Sequence, residues 1–157
     1  RGGADLLILA TNTMHKVADK IVGRVSIPFV HIADATATAI LDRGFRRPGL
    51  MATAFTMEQT FYTDRLIAQG LSPTIPEADD RTETHRIIYE ELCRDIVREE
   101  SRLTYERIAQ RLVEKGCDCL ILGCTEVGML LNQDNVGVPV FDTTLIHCKA
   151  ALQTALQ

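Results

Sequence analysis

The chain reads as an α/β fold with mainly parallel sheet, organised as two similar halves. The first observation is alternation: short aliphatic runs are separated by helix-length amphipathic stretches along the whole chain. The second is a repeat. Gly3-Ala4-Asp5-Leu6-Leu7-Ile8-Leu9-Ala10-Thr11 lies over Gly116-Cys117-Asp118-Cys119-Leu120-Ile121-Leu122-Gly123-Cys124, which sets Thr11 on Cys124. The third is that each copy leads to another strand-like run with a proline near its start, Ile27-Pro28-Phe29-Val30-His31 and Val138-Pro139-Val140-Phe141-Asp142. Two halves facing each other, each offering one short nucleophilic side chain, is the resulting expectation.

Taken in order, the run 6–9 is continuously aliphatic, as in a strand covered on both faces. Asn12 and Thr13 are placed to cap a helix over 14–22. A strand over 27–32 follows, then a helix capped by Asp34 that stops near Gly44. Arg46-Arg47-Pro48-Gly49 is the expected boundary between units. Leu50-Met51-Ala52-Thr53 reads as a strand ending in a small-residue turn, and Thr56 as the cap of a helix ending at Gly70. Residues 71–75 form a candidate edge strand, confined there by Pro73 and Pro76. Residues 77–84 read as an acidic loop, followed by helical patterns over 83–97 and 101–115. Gly116 ends the second of these, and 120–123 is the strand that presents Cys124. The last strand spans 138–141, and Thr143 or Thr144 opens a terminal helix. The units expected are 1–46, the remainder of a first α/β half; 47–142, a second half; and 143–157, a helix packing back on the first half.

With 157 residues, 46% of them hydrophobic, the chain can bury a real core. A net charge of -4 offers no basic surface for nucleic acid or anionic membrane, and no apolar run is long enough for a membrane span. Five cysteines without a regular framework argue against a disulfide scaffold and for a reducing, cytoplasmic setting. Cys93, Cys117, Cys119 and Cys148 read as inert core residues. Cys117 and Cys119 lack a second Cys or His pair, and His15, His31, His85 and His147 are scattered over four elements, so no metal set is expected.

In open α/β sheets, ligands lie beyond the C-terminal ends of the strands, where helix N-termini point N–H groups outward. Thr11-Asn12-Thr13, Thr53 to Thr56, Cys124-Thr125-Glu126 and Asp142-Thr143-Thr144 all occupy such ends. Their hydroxyls and amide suit a small carboxylate. Cys124 precedes a presumed helix N-terminus, where the dipole would favour thiolate. There is no phosphate-binding glycine loop and no serine nucleophile elbow.

Thr11-Asn12-Thr13-Met14-His15 and Gly123-Cys124-Thr125-Glu126 resemble the two signature turns of the aspartate/glutamate racemase superfamily, in its aspartate racemase branch. The segment from Ala52 to Tyr62 resembles the family's third substrate-facing turn. The resemblance implies two pseudo-symmetric Rossmann-like halves with mainly parallel sheets, the first incomplete because the family's N-terminal segment is missing. It implies a cofactor-independent racemase, a homodimer, acting on aspartate or glutamate. Cys124 and Thr11 would be the catalytic pair, and Asn12, Thr13, Thr53, Thr56, Thr125 and Glu126 the substrate contacts. Thr11 stands where the family usually has a cysteine, and a hydroxyl is a far weaker acid than a thiol. Some members of the branch carry threonine here. The basic contact of the family is not identifiable by motif; Arg94 and Lys115 are the residues to check. Other readings are a hydantoin racemase, maleate isomerase or malonate decarboxylase on the same scaffold, or a silent carboxylate-binding domain.

Overall fold

The structure is a computed structural model and describes residues 2–157; Arg1, at the head of the expected first unit, lies outside the described residues. Among the described residues, strands β1 (Leu7–Ile8) and β2 (Phe29–Val30) form one parallel sheet. A second parallel sheet has β3 (Pro48–Met51), β4 (Cys119–Leu122) and β5 (Val140–Asp142) in the order β3-β4-β5. The helices are α1 (Ala18–Val22), α2 (Ile32–Asp42), α3 (Ala54–Glu58), α4 (Thr60–Ala68), α5 (Ala78–Glu90), α6 (Glu99–Glu114) and α7 (Thr143–Ala155). None is long and apolar enough to cross a membrane.

The repeat seen in the sequence is a repeat of structure. Leu7 pairs with Phe29 and Ile8 with Val30, just as Leu120 pairs with Val140 and Ile121 with Phe141. The Leu7 N–H donates to the Pro28 carbonyl at 2.9 Å, and the Leu120 N–H to the Pro139 carbonyl at 2.9 Å. Each second strand then feeds a helix whose cap is the residue just beyond or at the strand end. His31 Nδ1 accepts the Ala33 N–H at the head of α2, and Asp142 accepts the Thr144 and Leu145 N–H groups at the head of α7. These two equivalent helices pack against each other. Among the described residues the first half has two strands and the second has three, so the first is the smaller.

Alternation along β3 and β4 divides the core between two faces of the larger sheet. Met51, Leu120 and Leu122 face Ile87, Ile88, Tyr105, Ile108 and Leu112 of α5 and α6. Leu50, Cys119, Ile121 and Phe141 face Ile32, Ala37, Ile40, Met57, Tyr62 and Leu66 of α2, α3 and α4. Buried positions of α6 recur as Ser101, Tyr105, Ile108, Ala109 and Leu112, one stripe of a helix. Each such aliphatic side chain contributes roughly 1.5–3 kcal/mol by leaving water. Gly116 ends α6 in the left-handed region, φ 92, which favours glycine. Asp118 then accepts the Arg46 and Arg47 N–H groups, tying the entry of β4 to that of β3.

Several local expectations are corrected. The run 6–9 is not covered on both faces: Leu7 is half-buried and Ile8 is 40% exposed. Ile32 does not end a strand; it begins α2, and His31 rather than Asp34 is the cap. Asp34 instead takes both Nε–H and Nη2–H of Arg65, at 2.7 and 2.8 Å. Thr53, not Thr56, stands at the head of α3, and Thr56 is buried inside it. The acidic segment 77–84 is not a loop but the first turns of α5, where Asp79 and Asp80 complement the positive end of the helix. The pattern over 83–97 breaks at Glu91 into a 3₁₀ turn over Leu92–Arg94. The edge strand at 71–75 is reduced to one parallel bridge, Gly49 with Thr74. Cys117 and Cys119 are buried, but Cys93 and Cys148 are exposed. The histidines are not all scattered. His15 lies 4.4 Å from His31 and 5.7 Å from His147, ring centre to ring centre.

Candidate active site

Four parallel strands end at the residues that matter. Thr11 follows β1, Thr53 follows β3, Cys124 follows β4, and Thr143 follows β5. This is the C-terminal rim where open α/β sheets place ligands. A cavity of about 190 Å³ opens there. Thr11, Asn12, Thr13, Thr53, Cys124, Thr125 and Glu126 line it, together with Ile88, Tyr89 and Cys93. Thr56 is not in the lining; it sits behind, bonded to the lining hydroxyls. A larger groove of about 700 Å³ between α2 and α7 does not reach Thr11 or Cys124. Since both turn residues of the repeat meet in the smaller cavity, that cavity is the candidate site.

Close packing fixes the Cys124 turn. A Cβ on Gly123 would lie 2.8 Å from Leu50 Cδ1 and 3.0 Å from the Cβ of Ala52. Only glycine lets β4 pass β3 this closely, and the Gly123 N–H donates to the Met51 carbonyl at 2.8 Å. Cys124 emerges directly after this contact.

The Thr11 turn is tied across to the other half. Asn12 does not use its side chain as a helix cap. Its Nδ2 donates to the Thr143 hydroxyl at 3.0 Å, and that hydroxyl donates to the Leu122 carbonyl at 2.8 Å. The relay joins the end of the first repeat to the end of β4 in the second. The hydroxyls of Thr13, Thr53 and Thr56 form a closed triangle with sides of 3.2, 3.0 and 3.2 Å. Each hydroxyl can donate once and accept, so the triangle presents adaptable hydrogen bonding at the rim.

The thiol is not in the state that the sequence leads one to expect. After Cys124 the chain makes only a 3₁₀ turn over Val127–Met129, so no long helix aims its positive end at the sulfur. Burial pushes the Cys124 thiol up to about 12, and the hydrogen bond to Glu126 adds to this. The thiol donates to Glu126 Oε2 at 2.8 Å. Burial pushes the Glu126 carboxyl up, but hydrogen bonds from Cys124 and Thr125 outweigh it and hold it below the ordinary value. The resting site is thus a protonated thiol on an ionised carboxylate. The Cys93 thiol is raised by partial burial and then by the Glu126 charge.

Of the basic residues to check, neither lines the cavity. Lys115 is ion-paired with Glu77 near the opposite end of β4, and Arg94 is exposed at the end of the 3₁₀ turn. Among the described residues the lining contains no lysine or arginine, and no cluster of three or more His, Cys, Asp or Glu is arranged for a metal. Tyr89 and Cys93 were missed by sequence reasoning. They arrive only because α5 ends beside the rim, and no local pattern signals that.

A family model described as Asp/Glu/Hydantoin racemase matches residues 1–151. The crystal structure of a candidate Asp/Glu racemase from Yersinia pestis superimposes with a TM-score of 0.95 at 47% identity, covering 99% of this chain and 68% of that one. An aspartate racemase homologue from Pyrococcus horikoshii OT3 superimposes with a TM-score of 0.90 at 36% identity, covering 100% of this chain and 69% of that one. An uncharacterized protein encoded in the pnlA 3′ region of Pectobacterium carotovorum subsp. carotovorum is 32% identical over 105 residues, 67% of this chain and 69% of its own length. With paired turns at matching strand ends and these likenesses over nearly its whole length, the chain belongs to the Asp/Glu/hydantoin racemase family.

Proposed function

We propose that the protein racemises aspartate, glutamate or both without a cofactor, moving a proton at Cα between opposite faces. The observation that carries this reading is that Thr11 and Cys124, equivalent residues of the repeat, line one cavity. The pair is unequal. From one enantiomer the thiol serves as the base, because Glu126 can accept its proton across their hydrogen bond. The thiolate then takes the Cα proton and becomes a thiol. The Thr11 hydroxyl gives its proton to the other face of the carbanion; water reprotonates the threonine oxygen, and the proton held by Glu126 neutralises the hydroxide so formed, which restores the resting site. The hydroxyls of Thr13, Thr53 and Thr125, with Asn12, hold the α-carboxylate as its charge spreads, which is where fixed donors lower a barrier most. The forward step leaves a threonine alkoxide and the reverse step starts from one, so Thr11 slows both directions alike, as an equilibrium constant of one between enantiomers requires.

The test is to incubate each enantiomer of aspartate and of glutamate in D₂O. Loss of the Cα–H signal by NMR and appearance of the opposite enantiomer by chiral chromatography are expected, both abolished by Cys124→Ala. A folded protein that exchanges none of the four contradicts the reading. A single protonated thiol also suits decarboxylation, in which one acid reprotonates a carbanion. A substituted malonate, a 5-substituted hydantoin and a neutral amino acid therefore belong in the same panel.

A further inference from the structure

We infer that His15 is a positioning residue for Thr11, holding the carbonyl of the Thr11 turn against the first turn of α2; the inference rests on the racemase reading of the site. His15 is 3% exposed and both of its ring nitrogens are engaged. Nδ1 lies 2.7 Å from the Thr11 carbonyl oxygen, and Nε2 lies 3.2 Å from the Ile32 nitrogen. A backbone N–H can only donate, so Nε2 must be the bare nitrogen. Nδ1 then carries the proton and donates to the Thr11 carbonyl. One neutral tautomer satisfies both contacts. An imidazolium would set two donors, Nε2–H and the Ile32 N–H, against each other.

The surroundings support the same tautomer. His147 packs 5.7 Å away and commits its own Nε2–H to the Val30 carbonyl at 2.7 Å. His31 packs at 4.4 Å and spends Nδ1 on the Ala33 N–H. The Asp34–Arg65 ion pair is the nearby pair of full charges acting on His15. Burial is the main cause that lowers the His15 pKa. The Ile32 N–H is one of the donors that α2 leaves without an intrahelical partner, so the ring serves the helix and the turn together. Its hold on the Thr11 carbonyl fixes the peptide plane between Thr11 and Asn12. That plane carries Thr11, which lines the cavity, and aims Asn12 at Thr143.

Two substitutions separate the two contacts. His15→Asn keeps a donor near the place of Nδ1 and loses the acceptor for Ile32. His15→Gln keeps an acceptor near the place of Nε2 and loses the donor to Thr11. The expected result is that His15→Gln lowers kcat for racemisation about 10-fold or more at nearly unchanged KM, since slight misplacement of a reacting group carries such costs. Exchange of substrate Cα–H through Cys124, slight in the wild type at early conversion, should become larger relative to product formation in it. His15→Asn should keep conversion within about threefold of wild type although its α2 head is weakened. Equal conversion by the two variants, with the wild type active, overturns this inference alone. Absence of exchange by the wild type overturns the racemase reading and this inference with it. The ¹⁵N shifts of the His15 ring provide a readout independent of whether the variants fold. A bare Nε2 is expected, and a protonated Nε2 with a bare Nδ1 overturns the inference.

Discussion

Thr11 and Cys124 occupy matching positions, but their chemistry differs because one carries oxygen and the other sulfur. Thr11→Cys is expected to raise kcat/KM from both enantiomers equally, on the order of 10²-fold, the scale of one positioned acid or base. Initial rates from each enantiomer would check this. Glu126 accepts the thiol hydrogen and its charge opposes thiolate, so both effects raise the thiol pKa. Glu126→Gln should therefore lower it and speed alkylation of Cys124 by iodoacetamide several-fold at pH 8, read by mass spectrometry. An unchanged or slower rate would mean that the carboxylate does not govern the thiol. The meeting of Thr11, Asn12, Thr13, Cys124, Thr125 and Glu126 at one cavity was legible because each set directly follows an aliphatic strand run in sequence. Tyr89 and Cys93 were not, since their place at the cavity depends on where α5 stops against β4. The protonation state of Cys124 was also misread. Sequence shows the residue before a turn but neither the length of the turn that follows nor the depth of burial.

The strand ends hold their positions through backbone devices. Gly123 lets β4 and β3 approach, and Gly123→Ala should cost about 1–3 kcal/mol from overpacking against Leu50 and Ala52. Urea denaturation measures that loss, and activity should fall by more than the unfolded fraction explains because Cys124 is the next residue. Strands β4 and β5 and helices α6 and α7 were legible because their apolar runs and turn glycines agree with their tertiary use, whereas β3 was expected over 50–53 and instead takes in Pro48 and Gly49, which read as a turn. The other failures have one cause. Cap residues and acidic first turns are short polar segments that look alike in sequence, and tertiary partners choose among them. Asp34 could have capped α2, but Arg65, 31 residues away, holds it. His31 takes the cap instead.

At the scale of the whole molecule, the two repeats meet through α2, α7 and a buried set of histidines. Unfolded imidazoles titrate near 6.5. In the fold, burial and then the neighbouring His15 hold His31 down to about 4, and burial lowers His15 as well. The unfolded chain therefore binds more protons between those values, so stability is full above about pH 6.5 and falls as pH drops through the window. A loss on the order of 2 kcal/mol between pH 7.5 and pH 5 is expected from urea midpoints. His31→Asn should flatten much of that slope. The repeat itself was legible from the first residues onward, because both copies keep an aliphatic run and a following proline, although the first copy is only half-buried. The account turns on Thr11 and Cys124 working on opposite faces of one carbon. Its most direct test is the deuterium content of both enantiomers at early conversion in D₂O, starting from the enantiomer that Cys124 deprotonates. The account predicts product carrying solvent deuterium at Cα while little is found in the remaining substrate, with Cys124→Ala forming no product. Product that keeps the substrate's own proton would mean one group serves both faces, and would contradict it.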